Sequence, residues 1–175
     1  MNEAAAVGAR PRLGGLDAAA AARLIGLLLP AALLGGALGS QYLGGLHPCE
    51  MCYWQRWPHA AAILLAALAF TAPSSSSRAR GLTLLAALAM AVSGAIGVYH
   101  AGVEAKLFEG FTQCTVLSRS SSTAELLQQI THAPLVRCDE VQFRFLGLSL
   151  AAWNAILSLG GAGLIVALIF RGRRA

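Results

Sequence analysis

The stretch Tyr53-Trp54-Gln55-Arg56-Trp57-Pro58-His59-Ala60-Ala61-Ala62-Ile63-Leu64-Leu65-Ala66-Ala67-Leu68-Ala69-Phe70-Thr71-Ala72 decides the fold. Its reading sets whether the chain crosses a membrane three times or four. From Pro58 the apolar run is 15 residues, too short as a helix for roughly 30 Å of hydrocarbon. Counted from Tyr53 it reaches 20 residues, with Tyr53, Trp54 and Trp57 as an interfacial aromatic anchor. Arg56 then falls near the helix end, where its long stem can carry the charge toward water. This reading makes the stretch a span.

Three further runs need no such argument. Residues 24–43, 81–101 and 146–169 supply 20, 21 and 24 residues, each long enough to span. The composition agrees: 57% of the 175 residues are hydrophobic and only 12% are charged, unlike a soluble globular chain. The expected fold is therefore an all-α membrane protein, a single domain over 1–175 built as a four-transmembrane-helix bundle. Its spans are 24–43, 53–72, 81–101 and 146–169, with outward loops 44–52 and 102–145. Residues 1–22, rich in Ala and Gly, are expected to lack fixed structure before the first span. Gly35 and Gly39 form a small-xxx-small pair expected to let helices approach closely.

The net charge of +5 is unevenly placed. An even number of spans puts both termini on one side, which then carries eight of the 13 Lys and Arg and two of the eight acidic residues. That side is +6 and the other −1, so the positive-inside rule puts both termini in the cytoplasm. A cleaved export signal at the first run would leave three spans, but its full spanning length favours a retained anchor. The loop 102–145 is long for a helix connection, and long loops are commonly functional. Within it, Ser122 and Glu125 fit a capping box ahead of Leu126, Leu127 and Ile130, the pattern of a short helix lying at the interface.

All four cysteines fall outside the apolar runs, on the outward side. Cys49 and Cys52 form Cys-x-x-Cys at the mouth of the second span; Cys114 and Cys138 lie in the long loop. An oxidising exterior favours disulfides among them. Structural staples, a zinc site and a redox relay are the competing readings. Zinc lacks a second tight pair and suitably arranged histidines, so no metal is expected. A redox relay gains from Cys52 sitting just before a helix, where the positive dipole end favours a thiolate, with Arg56 four residues on. Transport is disfavoured because no charged residue lies mid-span. A reductant relay running outward would need a cysteine reachable from the cytoplasm.

The motifs Gln41-Tyr42, Gly45-Leu46-His47-Pro48-Cys49-Glu50-Met51-Cys52 and Gln55-Arg56-Trp57-Pro58 together resemble the disulfide bond formation protein B family. So do Tyr99-His100-Ala101-Gly102-Val103-Glu104 with Cys114-Thr115, and Cys138-Asp139-Glu140 with Phe145-Leu146-Gly147-Leu148-Ser149 and Trp153-Asn154. The resemblance covers residues 24–170; Phe111-Thr112-Gln113 departs from the Pro-containing lead-in to Cys114 that the family's pattern has.

It implies a protein-thiol:quinone oxidoreductase of the bacterial inner membrane with its cysteine loops in the periplasm. Its catalytic cysteines would be Cys49, Cys52, Cys114 and Cys138. Arg56 and His100 would hold the cofactor, ubiquinone or menaquinone. The implied partner is a periplasmic thioredoxin-like thiol oxidase of the disulfide bond formation protein A type. That oxidase is known as a strong oxidant at about −120 mV, so its reoxidation needs an acceptor of higher potential. By motif position Cys114 takes the mixed disulfide, Cys138 then attacks Cys49, and Cys52 delivers the electrons. No role is assigned to Trp153 or Asn154, and His47, His59 and His132 are weaker candidates than His100.

Overall fold

The computed structural model describes residues 12–13, 16–109 and 137–171. Four α-helices run through them: α1 (Ala18–Tyr42), α2 (Glu50–Ala69), α3 (Ser77–Glu104) and α4 (Leu150–Arg171). A two-residue ladder, β1 (Arg12–Leu13) with β2 (Leu16–Asp17), precedes α1. A second, β3 (Arg144–Phe145) with β4 (Leu148–Ser149), precedes α4. Each helix packs against its neighbours in sequence and α4 closes back on α1, giving an up-and-down bundle. The expected interfacial helix after Ser122 lies outside the described residues, as does Cys114.

Three helix boundaries differ from the apolar runs, each for a local reason. The first helix begins at Ala18, within the segment expected to be unstructured, because Asp17 caps it: its side chain accepts from Ala20 N at 2.5 Å. The second begins at Glu50 because Cys49 serves as its N-cap, its sulfur accepting from the Cys52 amide at 3.4 Å. The fourth begins at Leu150 rather than 146. Leu146 and Gly147 both have positive φ, 50° and 83°, as the two centre residues of a tight I′-type hairpin require. Trp153 Nε1 donates to the Phe145 carbonyl at 2.9 Å, fastening this hairpin to α4.

Small side chains fill the interior and large apolar ones face out. Ala22, Ala62, Ala66, Ala86, Met90 and Ile165 form the centre, whereas Leu28, Leu64, Leu88, Leu164 and Phe170 are exposed. Lipid tails are as apolar as leucine, so helices in a membrane gain by close backbone approach rather than by hiding large side chains. α1, α3 and α4 are long and apolar enough to cross a membrane. α2 has 20 residues but carries Gln55, Arg56 and His59, and it is not among the helices that qualify by composition.

The close-packing glycines are not the expected pair. A Cβ at Gly35 or Gly39 would meet nothing within 4 Å, so these positions do not seat a neighbouring helix. That role falls to Gly94, Gly97 and Gly161, where a Cβ would meet Leu159, the α4 backbone at Ala151 and Ala155, and Leu29 respectively. Between the two helices' ends, Arg23 Nη1 donates to the carbonyls of Ala69 and Ala72 at 3.0 and 3.1 Å, a cation satisfying the C-terminal end of α2.

Candidate functional site

Cys49 and Cys52 meet at the N-terminus of α2, with their sulfurs 3.1 Å apart. Cys49 is buried at 4% exposure, and Cys52 is half-buried beside a cavity. The two thiols are unequal. The Cys49 thiol is pushed up, first because it donates to the Cys52 sulfur and then because it is buried. The Cys52 thiol is lowered from its ordinary 9.0, first by that same hydrogen bond; the Cys49 backbone and the Arg56 charge act in the same direction, against burial and Glu104. Cys52 is therefore the sulfur of the pair on which a thiolate is favoured.

A chain of buried side chains stands behind Cys49, and its polarity is fixed by two backbone carbonyls. The Gln55 amide nitrogen donates to Met51 O at 3.2 Å, and that of Asn154 to Ser93 O at 3.2 Å. Carbonyls only accept, so neither amide can be turned over. Asn154 Nδ2 then donates to Gln55 Oε1 at 2.7 Å, and Gln55 Nε2 donates to His100 Nδ1 at 2.8 Å. His100 Nδ1 is an acceptor, so the ring proton sits on Nε2. That nitrogen lies 3.5 Å from Cys49 Sγ and 3.8 Å from Glu104 Oε1. The His100 N–H is thus shared among the Cys49 sulfur, the Glu104 carboxyl and the Cys138 backbone.

The same polarity bears on metal binding. Cys49 Sγ, Cys52 Sγ and His100 Nε2 lie within 4.8 Å of one another, a spacing that suits an ion. A metal needs Nε2 bare, and the Gln55 amide holds the proton there. The cluster reads as a dithiol–imidazole centre.

Cys138 belongs to the same locale. It packs with Cys49, Met51 and Val103, with Cys52 and Tyr99 at the edge. Two fastenings bring it there. Gln142 pairs with both backbone groups of His47, accepting from N at 3.2 Å and donating to O at 2.6 Å, which joins the two outward loops. Lys106, at the end of α3, and Arg137 both hold Asp139, at 2.5 and 2.8 Å.

Arg56 does not snorkel outward. Its Nη1 donates to Gln41 Oε1 at 2.5 Å and its Nη2 to Ala37 O at 3.1 Å, with the guanidinium 5.0 Å from the Tyr53 ring. It thereby forms one wall of a cavity of about 290 Å³, near the small end of ligand pockets. The α1 wall is Ala32, Leu33, Gly36 and Ala37, and the polar groups facing it include Cys52, Arg56 and His59. Gly36, where a Cβ would meet nothing within 4 Å, thus flanks the open space of the cavity. Sequence reasoning missed His59 and Asn154 as members of the site. His59 Nε2 lies 2.8 Å from Asn154 Oδ1, a contact across 95 positions of sequence; only their polarity within apolar stretches signalled them.

The unequal thiols give a direct expectation for the reduced protein. Alkylation at Cys52 should remain fast below pH 9 and fall only as pH drops through its lowered value, while Cys49 stays unreactive at neutral pH. Arg56→Leu should move the Cys52 midpoint upward. Peptide mapping that finds Cys49 alkylated first would reverse the assignment.

A family model described as "DsbB: Disulfide bond formation protein DsbB" matches residues 19–168. Relatives named "Disulfide bond formation protein B" share most of the chain. That of Xanthomonas oryzae pv. oryzae (strain MAFF 311018) is 28% identical over 156 residues, covering 86% of this chain and 90% of its own. That of Chromohalobacter salexigens is 31% identical over 163 residues, covering 86% and 92%. That of Methylococcus capsulatus (strain Bath) is 34% identical over 143 residues, covering 78% and 85%. No solved structure matches the chain.

Proposed function

The chain belongs to the disulfide bond formation protein B family, and from that premise we propose that it is a protein-thiol:quinone oxidoreductase that reoxidises a thioredoxin-like periplasmic dithiol oxidase. In this reading the four helices all cross the bacterial inner membrane, with both termini cytoplasmic and the cysteine loops outside. The charge bias of the loops and the aromatic mouth of α2, where Tyr53, Trp54 and Trp57 are exposed, support it.

The steps balance in thiols and disulfides. The partner's dithiol reduces a Cys114–Cys138 disulfide through a mixed disulfide at Cys114, and Cys138 leaves as a thiolate. Cys138 attacks Cys49 of the Cys49–Cys52 disulfide, and Cys52 leaves as the second thiolate. The partner's second thiol then breaks the mixed disulfide, so that the partner leaves oxidised and Cys114 is freed as a thiolate. Cys114 closes on Cys138, releasing Cys49, and the pair stands reduced at the cavity. The packing of Cys138 against Cys49 supports the second step, and the lowered Cys52 thiol suits a leaving group.

Ubiquinone or menaquinone, bound in the cavity, would take up two electrons and two protons and so return the pair to the disulfide. The residues fit such a headgroup: apolar walls from α1, the Cys52 sulfur, and the Arg56 guanidinium held by Gln41 and Ala37. Arg56 Nε is buried with no hydrogen-bond partner among the described residues, an N–H left for a carbonyl oxygen. The observation that carries the proposal is this one: the Cys52 sulfur and Arg56, whose Nε has no partner among the described residues, line the same small, largely apolar cavity.

The test is quinone-dependent oxidation of a reduced thioredoxin-like dithiol protein by the purified protein in detergent. Turnover is expected, and Arg56→Leu should lower kcat/KM for the quinone about 10- to 100-fold, the worth of a charge-assisted hydrogen bond. Thiol–disulfide exchange with the partner should be unaltered. If the folded protein never reduces quinone, the cysteines brace the loops instead.

A further inference from the structure

The polarity of the buried chain runs past Gln55 and ends on one atom. Asn154 Nδ2 is committed to Gln55 Oε1 and Ser93 O, which leaves Asn154 Oδ1 to accept. It accepts from Ser158 Oγ at 2.9 Å and faces His59 Nε2 at 2.8 Å. Ser93 Oγ, 3.0 Å from the same nitrogen, has its own proton on Gln55 O at 2.9 Å. Both neighbours of Nε2 are thus acceptors, and His59 carries its proton there. Nδ1 is left as a bare acceptor. A second proton on it would leave an unpaired charge inside the bundle.

His59 is 3% exposed, and Nδ1 is buried with no hydrogen-bond partner among the described residues. A buried acceptor without a donor costs free energy, and native folds seldom leave one without a use. His59 forms part of the cavity wall, one turn along α2 from Arg56. Two residues of the wall thus hold buried, unsatisfied atoms of opposite kind, the donor Arg56 Nε–H and the acceptor His59 Nδ1.

A quinone carries only acceptor oxygens and can answer Arg56 alone. A p-hydroquinone carries two hydroxyls, each able to accept and to donate, and can answer both. We infer that His59 is a specificity-determining residue that accepts a hydrogen bond from a hydroxyl of the reduced headgroup, so that the cavity holds hydroquinone more tightly than quinone. This rests on the quinone reading of the cavity. Its consequence is redox tuning: each tenfold preference for the reduced form raises the two-electron potential of the bound couple by about 30 mV. That strengthens the pull on a highly oxidising partner.

The experiment compares equilibrium binding of a short-chain ubiquinone and its hydroquinone to the full-length protein in detergent, the hydroquinone kept reduced under anaerobic conditions. Wild type should prefer hydroquinone, and His59→Phe should weaken hydroquinone binding about tenfold while quinone binding changes less than about threefold. A second measurement needs no variant. In protein labelled with 15N-histidine, the bare Nδ1 of His59 should shift toward a hydrogen-bonded nitrogen with hydroquinone and stay in place with quinone. Equal losses of both ligands in His59→Phe, or an Nδ1 signal indifferent to hydroquinone, would overturn the inference. Wild type that binds neither form would overturn the quinone reading instead.

Discussion

Cys49→Ala should abolish quinone-dependent oxidation of the dithiol partner, by more than about a thousandfold, and leave the helices assembled. In the proposed relay Cys49 is the sulfur common to both exchanges, and it lies next to Cys138 on one side and 3.1 Å from Cys52 on the other. No second dithiol among the described residues reaches the cavity, and residues that act as one unit lose nearly everything when any one is removed. The structural cost is small by comparison. Cys49 caps α2, and losing an N-cap side chain costs about 1 kcal/mol. Cys49→Ser separates the two contributions, since a hydroxyl still accepts from the Cys52 amide but forms no disulfide. The expected pair of results is no turnover in either variant, with the serine protein closer to wild type in thermal midpoint. If both variants turned over at wild-type rates, the pair would be a brace.

How much of this was legible in the sequence depends on range. The long apolar runs and the cysteine positions are local signals, and α1, α3 and α4 follow from them. The late start of α4 was hidden because Leu146 and Gly147 read as apolar span residues, yet their positive φ angles make a turn. Packing glycines were misplaced for a similar reason. Gly35 and Gly39 have the spacing of a helix interface, but spacing along one helix does not say which face meets a neighbour. The polar chain was the least visible part. His59, Ser93, His100 and Asn154 stand on three helices, and hydrogen bonds between residues 34 to 99 positions apart leave no pattern in either partner's neighbourhood. Asn154 is a polar residue in an apolar stretch, a sign that it has a partner inside the bundle, without any sign of which one.

Gly97→Leu should damage fold and site together, because Gly97 is where α3 sits directly on the backbone of α4. A Cβ there would lie 3.0 Å from Ala151 O, 3.1 Å from Ala155 N and 3.1 Å from Asn154 Nδ2. Two of these are main-chain atoms of a packed helix, which cannot swing aside as a side-chain tip can. A whole isobutyl group forces the helices apart, and overpacking of this kind costs about 1–3 kcal/mol, roughly 2–12 °C in thermal midpoint for a chain of this size. The displaced atom on α4 is the Asn154 amide that orients Gln55 and, through it, the proton on His100. Quinone turnover should therefore fall beyond what the lost stability explains at temperatures where the variant remains folded. Gly160→Leu is the control: a Cβ at Gly160 meets nothing within 4 Å, and its side chain would point toward lipid at little cost. Thermal unfolding in detergent and quinone reduction at a permissive temperature check both halves. A Gly97→Leu protein as stable and as active as Gly160→Leu would mean that α3 and α4 do not meet at Gly97, and the polar chain would lose its anchor on Ser93.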